Sequence, residues 1–291
     1  MTSFTSRTYP IGQVWGGIRF YTLDQLPELF DAMLEYQTVD NKDPYANLML
    51  QAFPTNASIG AILNMVYLKP EVNPPAFAAF NNISAVMDTT KIQSFTDFLS
   101  GQEVPDIPRY VYPSYFKLQP LVTIGTNSIC RIDWQSTSFQ PKAATYKALQ
   151  EIVTSAPQLK EIQALTAGAQ AFGMQPISAS AVLAGQERGG NALGLEAVNQ
   201  TWLALDTGWW SPEGDDSAHK ATSVMIENID AAAKADDSYI EYIFMNDASF
   251  DQDVIGHYGE KNIARLKEVQ KIYDPDLVFR KLVPGGFKIP E

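Results

Sequence analysis

Asn47-Leu-Met-Leu-Gln-Ala-Phe53 and Ile59-Gly-Ala-Ile-Leu-Asn-Met-Val-Tyr-Leu68 are two short β-type runs separated only by Pro-Thr-Asn-Ala-Ser. In the first run Leu48 and Leu50 alternate with Asn47, Met49 and Gln51, the period-two spacing of a strand with unlike faces. The spacer has turn composition and hairpin length, so the two runs pair antiparallel. Gln13 to Tyr21 (QVWGGIRFY) also reads as a strand. Leu23 to Tyr36 follows it, with apolar residues at 26, 29, 30, 33 and 34, a helical spacing. Strands joined by hairpins alongside separate helices point to an α+β fold, an antiparallel β-sheet with helices packed on one face. A doubly wound parallel sheet is the alternative.

Further along, the residues from Pro74 to Asn82 and from Ile92 to Leu99 fit short helices, the second beginning near Thr89 or Thr90. Arg109 to Leu118 alternates again. Residues 141 to 165 read as helix interrupted near Pro157, because an interior proline removes a backbone donor. Ala171 to Ile177 and Thr201 to Trp210 read as strands, with a Gly/Asn loop, Gln186 to Leu195, between them. Asp215-Asp216 caps a long helix with apolar positions 218, 221, 225, 229 and 232 on one stripe. Tyr239 to Met245 is strand-like. Tyr258 to Tyr273 is amphipathic, with Ile263, Leu266, Val269 and Ile272 inward, and stops at Asp274-Pro275. This predicts a sheet unit over 1–240 with a C-terminal segment, 241–291, packed on it.

Of the 291 residues, 21 are Lys or Arg and 33 Asp or Glu, a formal charge of −12 that disfavours binding to nucleic acid. The single Cys130 and two separated histidines argue against a metal cluster or disulfide framework. There is no apolar leader and no window long enough to span a membrane, so a cytoplasmic protein is expected. The opening Thr2 to Pro10 reads as a strand without a lead-in, as if the chain began inside a domain.

Familiar catalytic signatures are missing: G-x-S-x-G, H-E-x-x-H, the P-loop pattern and G-x-G-x-x-G do not occur. His257 is a possible general base that reads more simply as a helix-end residue. What stands out is a set of aromatic and amide side chains at strand spacing. Gln51, Tyr112, Gln175, Tyr242 and Asn246 are candidate hydrogen-bonding catalytic groups. Met49, Phe53, Asn64, Tyr110, Trp209, Trp210 and Phe244 are candidate walls for an apolar small-molecule substrate. Such an uncovered face equally suits an interface, including a homodimer.

The stretch Tyr242-Ile-Phe-Met-Asn-Asp-Ala-Ser249, followed in order by Asp251-Gln252, Tyr258-Gly259, Asn262, Leu266-Lys-Glu-Val269, Tyr273-Asp-Pro275 and Val278-Phe279, closely resembles the berberine-bridge-enzyme-like signature. That signature closes fungal FAD-linked oxidases of the vanillyl-alcohol-oxidase superfamily. Arg7-Thr-Tyr-Pro10 with Val14-Trp-Gly-Gly17 is similar to the segment entering their substrate domain, and Gly189-Gly-Asn191 with Leu193-Gly-Leu-Glu196 to one of its loops. The resemblance implies the substrate domain of those enzymes without the N-terminal domain that cradles FAD, with Tyr242 and Asn246 near the flavin edge or the substrate.

Three functions are then expected. The first is a cofactor-free cyclase of fungal specialised metabolism, shaping a polyene or terpenoid-type substrate for a pericyclic, Diels-Alder-type closure, which requires orientation rather than acid, base or metal. The second is an FAD-linked oxidoreductase whose flavin is held by another half. The third is a non-catalytic small-molecule binding protein.

Overall fold

Alternating burial along the strands separates one apolar face from one mixed face. The computed structural model describes residues 8–40, 42–58, 60–101, 115–117, 129–283 and 285–291. The strands are β1 (Gln13–Tyr21), β2 (Ala46–Ala52), β3 (Ala61–Tyr67), β4 (Met87–Asp88), β5 (Lys91–Ser94), β6 (Tyr115–Lys117), β7 (Ile129–Phe139), β8 (Ala169–Ile177), β9 (Gln200–Trp209) and β10 (Tyr239–Ile240). They form one sheet in the order β10-β7-β9-β8-β2-β3-β1-β4, with β5 on β1 and β6 on β7. Every pairing among the described residues is antiparallel. The hairpin read from the sequence is present as β2 and β3, with Leu50 opposite Leu63 and Met49 opposite Asn64.

On the apolar face lie Leu48, Leu50, Leu63, Met65, Phe172, Met174, Leu203 and Leu205, all buried. Helices α1 (Leu26–Thr38), α3 (Ala143–Ser155), α4 (Pro157–Gln163) and α6 (Asp215–Ala235) supply Phe30, Met33, Leu149, Ile162, Met225 and Ile229 to the same core. Pro157 divides α3 from α4, as expected. The apolar stripe of α6 is buried at Ala218, Ala221, Met225 and Ile229, while Ala232 is only half-buried. Asp215 and Asp216 occupy its first turn, where acidic groups complement the helix dipole, and the cap position is Gly214.

Several expectations need correction. Ile92 lies in β5 rather than a helix, and the short helix α2 (Phe95–Ser100) begins only after Ser94, whose Oγ accepts the Asp97 N–H. Part of the loop expected from Gln186 is helical, since α5 (Ala179–Glu187) runs into it. The strand expected over Tyr239–Met245 ends at Ile240, and Met245–Asp247 forms a single 3₁₀ turn. Helix α7 (Glu260–Tyr273) buries no residue, and Ile272 is 66% exposed rather than inward. Strand β7 is an element that apolar alternation does not show, because its helix-facing residues are Arg131, Asp133, Gln135 and Thr137. Within the Arg109–Leu118 run, β6 is a strand; Tyr110 and Tyr112 lie outside the described residues.

A second, smaller core lies on the mixed side. There Trp202 packs with Tyr242, Ile243, Val254, Ile255 and Tyr258, so the C-terminal segment covers part of the face opposite the helices. No helix among the described residues is long and apolar enough to cross a membrane.

The two faces predict unequal costs of truncation. Leu50→Ala, at a fully buried position, is expected to lower the urea-measured unfolding free energy by about 2–5 kcal/mol. Met49→Ala, the neighbour on the mixed face, is expected to cost less than about 1.5 kcal/mol.

Candidate functional site

The mixed face has a shallow centre because two of its side chains are minimal. Across the sheet, Ser136, Ala204, Gly173, Gln51 and Ile62 fall in one row of cross-strand partners. Among the described residues a Cβ built on Gly173 would meet only Gln51 Cγ, at 3.9 Å, although Gly173 and Ala204 are themselves buried. The adjoining row toward one end is Trp134, Asp206 and Ala171. The row toward the other end holds Trp202 and Gln175, then Met49, Asn64 and Ile18. Gly173 and Ala204 thus form a floor ringed by Gln51, Asp206, Trp134 and Gln175.

Asp206 is the chemically unusual member. Strand alternation puts its carboxylate on this face, half-buried, where it accepts no hydrogen bond from any described residue. Burial, and after it the charge of Asp247, push it up to about 7. Asp247 is itself raised by burial, which the 2.9 Å hydrogen bond donated by Gln175 Nε2 only partly offsets. Two further groups on the face have hydrogen-bonding capacity to spare. Asn64 donates to Gln51 Oε1 at 3.2 Å, leaving Gln51 Nε2 with no acceptor among the described residues. The Trp134 indole N–H is buried without a partner there, a state that costs roughly 1–3 kcal/mol if nothing satisfies it.

The turn that carries Asp247 is held to β7 by its neighbours. Gln252 accepts from Ser136 N at 2.9 Å through Oε1 and donates to Ser136 O at 2.8 Å through Nε2. Ser249 Oγ donates to Asp133 at 2.9 Å. His219 bridges Asp133 (2.9 Å) and Asp251 (3.0 Å); burial lowers its pKa, but the two carboxylates outweigh that and the net shift is upward. Together these bonds fix the turn beside the sheet floor.

The sequence candidates scatter. Gln51, Gln175, Asn64 and Met49 share the mixed face. Tyr242 is on that side but buried, tilted against Trp202 at 4.8 Å and stacked on Tyr258 at 6.2 Å, so it packs rather than donates into open space. Phe244 lies 4.7 Å from Trp202 and is half-buried. Asn246 is exposed on the turn. Phe53 and Trp210 sit just beyond the ends of their strands, both half-buried. Trp209 belongs to the opposite face: it is 1% exposed and its Nε1 donates to Asp215 at 2.9 Å, which removes it from the substrate walls. His257 lies in a 3₁₀ turn, Ile255–Tyr258. Asp206, Asp247, Trp134, Gly173 and Ala204 were missed; a lone carboxylate inside TWLALDTGWW was the available signal.

A cavity of about 520 Å³ adjoins this face beyond Trp202, lined by Ile177, Val182, Leu195 and Lys261 among others. It contains neither carboxylate.

No family model matches the chain. An FAD-dependent monooxygenase of Arthrobotrys oligospora is 30% identical over 295 residues, 99% of this chain and 51% of the relative. The bifunctional solanapyrone synthase of Alternaria solani is 25% identical over the same shares. Among solved structures, xylooligosaccharide oxidase from Myceliophthora thermophila C1 superposes with a TM-score of 0.62 at 12% identity, covering 97% of this chain and 56% of that one. Physcomitrella patens BBE-like 1 gives 0.61, also at 12% identity, over 96% and 54%. The chain shares the fold of the matched halves of these two oxidase-type structures. It spans about half the length of the curated relatives it matches. The C-terminal stretch Tyr242–Phe279 becomes the 3₁₀ turn, the aromatic packing on Trp202 and helix α7.

Asp206 also makes stability depend on pH. Its folded value of about 7 lies above the ordinary 3.8, so the folded state favours the proton and loses stability as pH rises between the two. Asp206→Asn, which mimics the neutral form, is expected to raise the unfolding free energy at pH 8 by about 2–4 kcal/mol and to change it little near pH 3, since each tenfold difference in proton affinity is worth roughly 1.4 kcal/mol. Denaturant melts at both pH values check this.

Proposed function

We propose that this chain provides the substrate side of an FAD-linked oxidoreductase acting on an apolar, oxygen-bearing specialised metabolite. The observation that carries the proposal is the low Gly173/Ala204 floor on the mixed face, bordered by Gln51, Asp206 and Trp134, in a fold shared with flavoenzymes. The FAD-dependent monooxygenases among the relatives support it.

The floor is low at Gly173 and Ala204 and bordered by the Gln51 and Asn64 amides, which would face the polar edge of a flavin ring laid on it. It does not suit the pyrophosphate portion, since among the described residues no cluster of cations borders it and Arg19, on the other face of β1, is engaged by Asp88 at 2.9 Å. Bound flavin would supply a hydride acceptor. The chain's own groups orient the substrate, with Trp134 and Met49 as apolar walls, Gln51 donating to a substrate oxygen and Asp206 accepting a proton from it.

A second reading is the cofactor-free cyclase. The kinship to solanapyrone synthase and the aromatic border of the face favour it, because ordering a flexible substrate on such a surface can itself lower a barrier. Such a closure has no use for Asp206, so the two readings separate at that residue.

Lumiflavin, the ring without its ribityl-phosphate arm, is the direct probe. Titrated into the purified chain, its fluorescence is expected to be quenched saturably, and Gly173→Trp, which fills the floor, is expected to abolish the quenching. Absence of quenching, or equal quenching by the variant, contradicts a flavin on this face. Conversion of a polyene by flavin-free protein, unchanged in Asp206→Asn, would establish the cyclase instead.

A further inference from the structure

We infer that the cavity beyond Trp202 is a binding site for a medium-sized apolar carboxylate, held at its charged end by Lys261. The site adjoins the sheet floor but stands whether or not a flavin lies there. Its volume of about 520 Å³ falls within the roughly 300–1,000 Å³ usual for small-molecule pockets. Ile177, Val182, Leu195 and Trp202 give it an apolar wall, with Val182 and Trp202 buried. Three amides and one charge make up its polar lining. Lys261 is the one ionisable side chain among the described lining residues, although the chain as a whole carries a formal charge of −12. The acidic residues next in sequence to the lining, Glu187, Glu196 and Glu260, do not line it.

The polar lining is rich in idle donors. Lys261 makes no ion pair or hydrogen bond with any described residue. It stands in the first turn of α7, where the helix dipole favours acidic side chains, so its charge does nothing for the helix. Asn191 Oδ1 accepts the Leu193 N–H at 2.9 Å, which leaves Nδ2 without an acceptor, and the Gln186 amide has no partner among the described residues. The third amide, Asn262, donates to Tyr258 O at 2.8 Å. An ammonium and two amide N–H groups complement an anion, and charge-assisted hydrogen bonds are the stronger kind. One cation matches one negative charge, so a carboxylate fits and a pyrophosphate does not. The frame is also built in advance. Asn199 fixes the start of α5, accepting from Ala179 N at 2.9 Å and donating to Gln37 O at 2.8 Å. Gly190 N donates to Gly185 O at 2.9 Å and folds the end of the same helix. Gly194, at φ +71°, passes so close to Tyr258 that a Cβ would lie 2.3 Å from its carbonyl oxygen. A lining held in this way loses little freedom when a ligand enters.

The test titrates 2-naphthoate and its neutral counterpart 2-naphthamide into the purified chain, reading affinity by calorimetry and location by amide chemical shifts. 2-Naphthoate is expected to bind at least about fivefold more tightly than the amide, and the difference to shrink as salt is raised. Its largest shifts are expected at Gly185, Gly190 and Leu195, with Gly173 unmoved. Lys261→Gln is expected to remove the preference for the anion and to leave the affinity for 2-naphthamide unchanged, a pattern that unfolding cannot imitate. Gly185→Trp, at a helical position where an added Cβ meets nothing within 4 Å, is expected to block both ligands. No binding of 2-naphthoate, equal affinity for the two ligands, a preference intact in Lys261→Gln, undiminished binding in Gly185→Trp, or shifts centred on Gly173 would overturn the inference.

Discussion

The register between β2, β8 and β9 is the constraint on which everything else depends. Leu50 opposite Met174 and Phe172 opposite Leu205 put four apolar side chains on the helix side, and the same pairings put Gln51, Gly173, Ala204 and Asp206 on the other. A slip of one residue would bury Asp206 among the helices and expose Leu205, so the core and the site are specified by one set of contacts. Hydrophobic burial on one face therefore organises polar chemistry on the other.

That organisation explains why the mixed face can tolerate groups that weaken the fold. A half-buried carboxylate and a buried indole N–H, neither with a partner among the described residues, and a glycine in the middle of a strand each cost stability. The core over α1, α3, α4 and α6 offsets them, and the turn that brings Asp247 close is fixed from outside by Gln252, Ser249 and His219. The chemistry sits on a rigid sheet, with one carboxylate delivered by a tethered turn.

Much of the fold was legible because its signals are local. The β2–β3 hairpin follows from alternation and a five-residue spacer, the α3/α4 break from Pro157, and α6 from its apolar stripe. Strand β7 was not legible, since Arg131 is buried against Asp215 of α6 and Asp133 against His219, and ion pairing replaces apolar alternation. Helix α7 misled for the opposite reason: its apolar residues recur at helical spacing, yet none is buried. The candidate site was half legible. Amides on β2, β3 and β8 stood out by residue type, whereas a floor is made by what Gly173 and Ala204 lack, and the partnership of Asp206 with Asp247 joins positions 41 residues apart through tertiary contact alone. Trp209 shows the limit of residue type, since strand parity turns it to the core.

The central claim, that substrate lies on the sheet floor, is tested most directly by mapping amide chemical shifts while a planar aromatic ketone is added. The account predicts the largest changes at Gly173, Ala204, Gln51 and Asp206. Changes confined to Ile177, Val182 and Leu195 around the neighbouring cavity, with Gly173 unmoved, would contradict it.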